Sequence, residues 1–464
     1  MVNPKIFKAY DIRGIYPTEI NEESIVAIIK AIYTFYTQKL EKTNLTIVLG
    51  QDMRISSPSL AKYAEDTLVS MGAKVINIGL VSTPTVYFAT YKLECDGGIQ
   101  ISASHNPKDY NGIKFLYKKN GRLVKVAKNT GMEKVKNLAI SGNFIEPTAN
   151  GQTQNHSIIK EELDYAKQIL EGQNIKPFKI VIDPANAMGI PLIEIIEKEF
   201  PQLNFIKINF NLDGTFPSHE ANPLKFELLK PLQEKVISEK ADFGIATDGD
   251  GDRIFFTDEK GEIIPATMIT SLMAKEILAK KKGETILADV RYIQNTKKII
   301  EENGGKMQIN VVGHSLITEH LNRVNGAMAG ESSGHYFFRE TGGAESSIRV
   351  ILYVLSVLSR ENLPLSQIIN KLKSSEESGE FNFELNSGVN SKDLLQEISQ
   401  IYNQESVSWL DGLTVDSADW RFNIRTSNTE PLLRLNLEAN SKNLMIEKLK
   451  EVTDLLLSKG ATAE

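Results

Sequence analysis

Asp242-Phe-Gly-Ile-Ala-Thr-Asp-Gly-Asp-Gly-Asp-Arg253 holds an apolar run, 242–246, that enters a polar loop at Thr247 with three aspartates at alternate positions. Upstream, 178–182 is a second apolar run ending at Asp183, 191–200 has helical character and 204–208 reads as a strand. The same plan occurs twice more. Residues 45–49 lead to Asp52, then a helix over 59–71, a strand over 74–78 and a third strand, 98–101, entering a loop at Ser102. Residues 284–288 lead to Asp289, then a helix over 296–302, a strand over 307–312 and a last strand, 326–329, entering a loop at Gly330. Short β-branched runs alternating with amphipathic stretches predict parallel strands with crossover helices. In such sheets chemical groups collect at the carboxyl ends of strands, so the three loops are expected to face one shared space. From about Lys373 the alternation stops. A strand at 381–385, a helix at 393–402, strands at 420–424 and 432–437 and a helix at 441–457 predict an α+β module with an antiparallel sheet.

The 464 residues suggest roughly three domains at about 150 residues each. Apolar content of 41% and charged content of 24% exclude a disordered chain. A formal net charge of −6 gives no global field for nucleic acid or anionic membranes. One cysteine, Cys95, permits no internal disulfide, which points to a reducing compartment. Residues 1–10 lack a signal-peptide core, and the longest apolar stretch, 348–358, contains Arg349 and is shorter than the roughly 20 residues of a membrane span. The expectation is a cytoplasmic protein, a monomer or weak dimer, with no membrane or nucleic-acid partner.

The loop 248–253 carries the sharpest chemistry. On extended backbone Asp248, Asp250 and Asp252 point to one side, and two glycines let their oxygens converge. Three such charges repel unless a cation lies among them, and hard divalent ions take oxygen ligands. An EF-hand would place Glu259 at its twelfth position, but its sixth would be Arg253 rather than glycine, and 254–256 reads as a strand. Magnesium completing its shell from phosphate or water fits better, with Arg253 placed to pair with the same phosphate. In Ser102-Ala-Ser-His-Asn-Pro107, Ser104 beside His105 suits either a nucleophile with its base or a turn. Gly330-Glu-Ser-Ser-Gly-His335 offers Glu331 and Ser333 to sugar hydroxyls and His335 as a proton shuttle, or a self-satisfied turn. Arg425-Thr-Ser-Asn-Thr-Glu-Pro431 has the makings of an anion cradle. Arg13, in Tyr10-Asp-Ile-Arg-Gly14, reads locally as a surface arginine.

These blocks, with Gly313-His-Ser315, occur in an order that resembles the α-D-phosphohexomutase family, the phosphomannomutase/phosphoglucomutase enzymes, over nearly the whole chain. The resemblance implies a heart-shaped architecture of three related mixed α/β domains and a C-terminal α+β domain around a central cleft, divided here at 1–150, 151–257, 258–373 and 374–464. It implies a phosphoserine at Ser104 and Mg²⁺ held by Asp248, Asp250, Asp252 and the phosphoserine. Arg13, His105, Lys114, Arg253 and His335 would serve the reacting end. Tyr10, Arg291, His314, Glu331, Ser333 and His335 would contact substrate, and Arg425, Ser427, Asn428 and Thr429 would hold the non-reacting phosphate. The implied activity is reversible phosphoryl transfer between C1 and C6 of mannose or glucose phosphate through a hexose 1,6-bisphosphate, with the tail domain swinging as a lid. Phosphoglucosamine mutase, a Mg²⁺-dependent phosphatase and a non-catalytic sugar-phosphate sensor are the alternatives. Two departures stand out. Arg291 replaces a lysine of several bacterial members, and the segment 339–347 is shorter than in many relatives, which shortens the sugar-side wall.

Overall fold

The apolar runs become strands because β-branched residues fit a pleated surface that helices cover. The computed structural model describes residues 2–147, 149–427 and 432–463. In its first unit Thr46–Gln51 lies between Lys74–Leu80 and Gly97–Ile101, parallel to both. The second unit repeats this with Lys179–Asp183 between Asn204–Lys207 and Phe243–Thr247, and the third with Thr285–Asp289 between Lys306–Asn310 and Met328–Gly330. The repeated unit is therefore real at the level of strand order. The expected crossover helices sit at Ser57–Ser70, Gly189–Glu199 and Gln294–Glu302.

The sheets are mixed, as expected of mixed α/β domains. After each third strand the chain turns back antiparallel: Tyr110–Lys119 against Gly97–Ile101, Ile254–Thr257 against Phe243–Thr247, and Tyr336–Phe338 against Met328–Gly330. The connections hold only five to eight residues, and a parallel return needs about a dozen or more. Each chemical loop is thus the turn of a hairpin, pinned by ladder hydrogen bonds at both ends.

Two expected domain cuts fall inside sheets. Gln152–Asn155 pairs with Lys74–Leu80, past residue 150, and Ile263–Ile264 pairs with Ile254–Thr257, past residue 257. The turn-rich composition there marks loops next to a sheet edge. The tail is antiparallel as expected, in the order Ser406–Ser408, Leu413–Asp416, Trp420–Thr426, Leu432–Ala439, Glu376–Leu385, Ala461–Ala463. The first two and the last were not read from the sequence, being only three or four residues long.

The first unit and the tail have their own cores, whereas the second and third share one. Helix Ser347–Glu361 lies in that shared core, so the longest apolar run of the chain seals one unit against another. Its Arg349 is buried, with the guanidinium 5.1 Å from the Phe338 ring centre. Among the described residues, no helix is long and apolar enough to cross a membrane.

Candidate active site

The three first strands end on aspartates that do the same local job. Asp52, Asp183 and Asp289 each accept a hydrogen bond from the backbone N–H two residues on, at Arg54, Ala185 and Arg291 respectively, over 2.9 to 3.0 Å. These Asx turns aim the following side chain across the sheet end. In two copies that side chain is an arginine.

Arg54 shapes the serine loop. Fully buried, it donates to the carbonyls of Ser104 (2.7 Å), Asn106 (2.6 Å), Pro107 (2.7 Å) and Tyr110 (2.9 Å). Its own charge is balanced by Asp52, 3.3 Å away. Ser104 sits within this ring at φ +53°, a left-handed conformation that a non-glycine residue adopts only under outside constraint. The Ser104 N–H donates to Ser102 Oγ at 2.9 Å. Ser104 Oγ lies 3.2 Å from Asp248 Oδ2 and 3.3 Å from His105 Nδ1. Burial, then Arg253, Arg13 and Lys114, hold the His105 imidazole well below its ordinary range, so it is neutral.

The aspartate loop meets the serine loop backbone to backbone. A Cβ on Gly249 would lie 2.3 Å from the Ser104 carbonyl oxygen, so only glycine allows this approach. Asp248, Asp250 and Asp252 are buried, and each offers an oxygen within 4.8 Å of the others'. Asp250 is tied to the first unit by its carbonyl, which accepts from the Thr83 N–H at 2.9 Å, and by its Oδ2, which accepts from Thr83 Oγ1 at 2.5 Å. Lys114 Nζ donates to Asp250 and Asp252, both at 2.6 Å. Burial disfavours that ammonium, but the two carboxylates outweigh it and hold Lys114 protonated. The buried Asp250 Oδ1 has no hydrogen-bond partner among the described residues. An all-oxygen set of converging carboxylates with an orphaned oxygen fits a hard divalent cation.

The third loop closes on the other two. His335 spans Asp252 (Nε2 to Oδ1, 3.1 Å) and Glu331 (Nδ1 to Oε2, 2.8 Å). Burial lowers its pKa, but the two carboxylates prevail and push it up to about 9. Ser333 Oγ is 3.2 Å from His335 Nδ1, and Arg253 Nε is 3.4 Å from Nε2. The His314 ring lies 5.3 Å from that of Tyr10 and 6.3 Å from that of His335. Burial and the surrounding cations keep His314 neutral. Arg13 is not the surface arginine that local sequence suggests. It pairs with Asp11 at 2.7 Å and donates to Asn106 in the serine loop.

At the far end Arg291 is held by Asp289 (2.9 Å) and lies 3.5 Å from Glu331. Arg425 is buried on Trp420–Thr426 and meets Glu380 at 3.0 Å. Ser427 follows it in the chain, whereas Asn428 and Thr429 lie outside the described residues.

Sequence reasoning missed several supports. Besides Arg54, these are Ser347, whose Oγ donates to the Gly251 carbonyl at 2.8 Å, and a buried Lys125–Glu345 pair joining the first and third units. Lys125 Nζ lies 4.8 Å from the Tyr87 ring centre and 5.0 Å from that of Phe337. Aligning Asp52-Met-Arg54 with Asp289-Val-Arg291 would have found Arg54; nothing local marks the others. In the short segment 339–347 a Cβ on Gly342 would meet Tyr91 and Leu123, so the segment packs on the first unit, and Glu345 turns toward His335 and Asp252.

Comparison with known proteins agrees with this arrangement. Four successive descriptions match: "Phosphoglucomutase/phosphomannomutase, alpha/beta/alpha domain I" over 4–138, domain II over 161–261, domain III over 265–375, and the C-terminal domain over 384–455. A protein named phosphomannomutase from Vibrio cholerae is 34% identical over 459 residues, covering 97% of this chain and 98% of its own. One of the same name from Escherichia coli K12 is 35% identical over 450 residues, covering 95% and 96%. The crystal structure of a Burkholderia thailandensis phosphoglucomutase/phosphomannomutase family protein superposes with a TM-score of 0.88 at 27% identity, covering 100% of both chains. Four successive domain matches and relatives at 34 to 35% identity over nearly the whole length place this chain in the phosphoglucomutase/phosphomannomutase family.

Proposed function

We propose that the chain is a hexose-phosphate mutase that carries the phosphoryl group on Ser104 and moves it between C1 and C6 of mannose or glucose phosphate. The observation that carries this reading is Ser104 Oγ, buried and 3.2 Å from a carboxylate of the aspartate loop. Asp248, Asp250 and Asp252 would hold Mg²⁺ together with the serine phosphate; when bound, the ion neutralises charge on the transferring group.

The chain's own residues do the rest. Arg54 and Gly249 fix the serine loop against the aspartate loop, so the phosphoryl group is presented in one orientation. Arg13, Lys114 and Arg253 surround that group with positive charge, which is where transfer of this kind needs stabilisation. Each transfer moves one proton from the attacking hydroxyl to the leaving oxygen. In the second transfer His335, protonated between Asp252 and Glu331, would give its proton to the sugar oxygen as that oxygen's bond to phosphorus breaks and regain one from the attacking Ser104 hydroxyl; the first transfer runs the reverse. Glu331 and Ser333 would orient the sugar ring, with Tyr10 and His314 along its edge. Arg291, Arg425 and Ser427, with Asn428 and Thr429, would hold the second phosphate. The bisphosphate then turns end for end in the site, so the tail must loosen without letting it escape. Polar ties suit this. Glu438 accepts from the Ile293 N–H at 2.7 Å, Asn436 donates to the Tyr292 hydroxyl at 2.9 Å, and Asp411 accepts from the Val312 N–H at 2.8 Å.

The test pairs intact mass with a panel of mannose, glucose and glucosamine phosphates. The native protein should carry one phosphate and isomerise the first two substrates. Ser104→Ala should carry none and turn over neither while keeping its thermal unfolding temperature. A Ser104→Ala variant with near-normal activity would refute the reading.

A further inference from the structure

Asp250 of the aspartate loop is gripped by the first unit at both backbone and side chain. The Thr83 N–H donates to its carbonyl at 2.9 Å, and Thr83 Oγ1 donates to its Oδ2 at 2.5 Å. Lys114 Nζ donates to the same Oδ2 at 2.6 Å. A carboxylate oxygen has two lone-pair sites, so both sites of Oδ2 are taken. Oδ1 is buried and has no hydrogen-bond partner among the described residues. The carboxylate is thus turned so that one oxygen faces protein donors and the other is left bare.

Thr83 is itself held in place. It is buried at the start of the helix Thr83–Lys92, whose Ser82 cap accepts from the Thr85 N–H at 3.3 Å. Before it, the Val81 N–H donates to the Gln51 carbonyl at 3.0 Å, and the Val81 carbonyl accepts from Gln100 Nε2 at 2.8 Å. The helix start docks on the second unit at a further point, where Thr85 Oγ1 donates to Glu162 at 2.8 Å. Gly251, at φ +74°, makes room for it, since a Cβ there would lie 3.2 Å from Ser82 Cβ.

We propose that Thr83 is a positioning residue for the divalent cation: by holding Asp250 Oδ2 from the first unit, it makes Asp250 a ligand through Oδ1 alone. This rests on the reading of the aspartate loop as the metal site. Mg²⁺ demands a near-ideal octahedron, which the narrow bite of a two-oxygen carboxylate distorts, whereas Ca²⁺ accepts a carboxylate through one or both oxygens. Thr83 therefore favours the smaller ion. Removing its hydroxyl frees one site on Oδ2 for a second contact, which compensates Ca²⁺ and not Mg²⁺. A residue that only supported the fold would weaken both ions alike or neither.

The test is calorimetric titration of the full chain with Mg²⁺ and with Ca²⁺, the phosphate content of Ser104 being matched by intact mass. Thr83→Val should bind Mg²⁺ about 10- to 100-fold more weakly and Ca²⁺ less than about threefold more weakly. Thr83→Ser, which keeps the hydroxyl, should match the native protein for both ions. Thr83→Ala, which lacks the hydroxyl and adds no bulk, is titrated beside valine, so the reading does not depend on the folding of one variant. Asp250→Asn should lose Mg²⁺ binding. If it does while the valine and alanine variants keep native Mg²⁺ affinity, or weaken both ions equally, the inference is overturned and the metal site stands. If Asp250→Asn binds Mg²⁺ as the native protein does, the metal-site reading itself fails and takes this inference with it.

Discussion

Replacing Arg54 with lysine separates loop geometry from charge. The guanidinium serves four carbonyl oxygens and the Asp52 carboxylate, five acceptors within 2.6 to 3.3 Å. A lysine keeps the charge, so Asp52 keeps a partner, but an ammonium has only three donors in a tetrahedral set. At least two acceptors, buried or partly buried, lose their hydrogen bond. At about 1 to 3 kcal/mol each, the loss is about 2 to 6 kcal/mol before relaxation. The loop recovers part of that by shifting, and the shift moves Ser104 out of its left-handed conformation and away from Asp248. A displacement of about 1 Å at a reacting group costs on the order of 100-fold. Arg54→Lys should therefore unfold several degrees lower and lose about 10- to 100-fold in kcat, with KM changed less than about threefold, because the distal site is untouched. Thermal unfolding, initial rates on mannose 1-phosphate and intact mass for phosphate on Ser104 read these separately. A variant that is less stable yet keeps its kcat would show that Arg54 only supports the fold.

Two further outcomes follow from buried carboxylates. Mg²⁺ should raise the unfolding temperature of the native protein but not of Asp250→Asn, and chelation should stop turnover until Mg²⁺ is restored; equal thermal shifts in both proteins would contradict the ligand set. Glu162, buried and accepting from Thr85 Oγ1 at 2.8 Å, has its pKa raised by burial to about 7. Between about pH 4.5 and 7 the unfolded chain has released this proton and the native protein has not, so its contribution to stability declines as pH rises through that window. Glu162→Gln should thus be more stable than native by about 1 to 3 kcal/mol at pH 8 and nearly equal at pH 4.5. A stability difference that does not change with pH would exclude the raised carboxyl.

The amino-acid sequence alone determined the repeated unit, the three chemical loops and the antiparallel tail. These are local properties: runs of β-branched residues, aspartates at strand ends, and glycines spaced between carboxylates. Strand order within each sheet and the antiparallel return after each loop were decided in three dimensions, because a connection of five to eight residues constrains direction only once the strands are paired. Glu380 and the Lys125–Glu345 pair belong wholly to the tertiary level. Glu380 is 45 positions from Arg425 and 220 positions separate Lys125 from Glu345, so no local spacing marks either. Charges so far apart become partners only when burial removes the water that would otherwise have screened them.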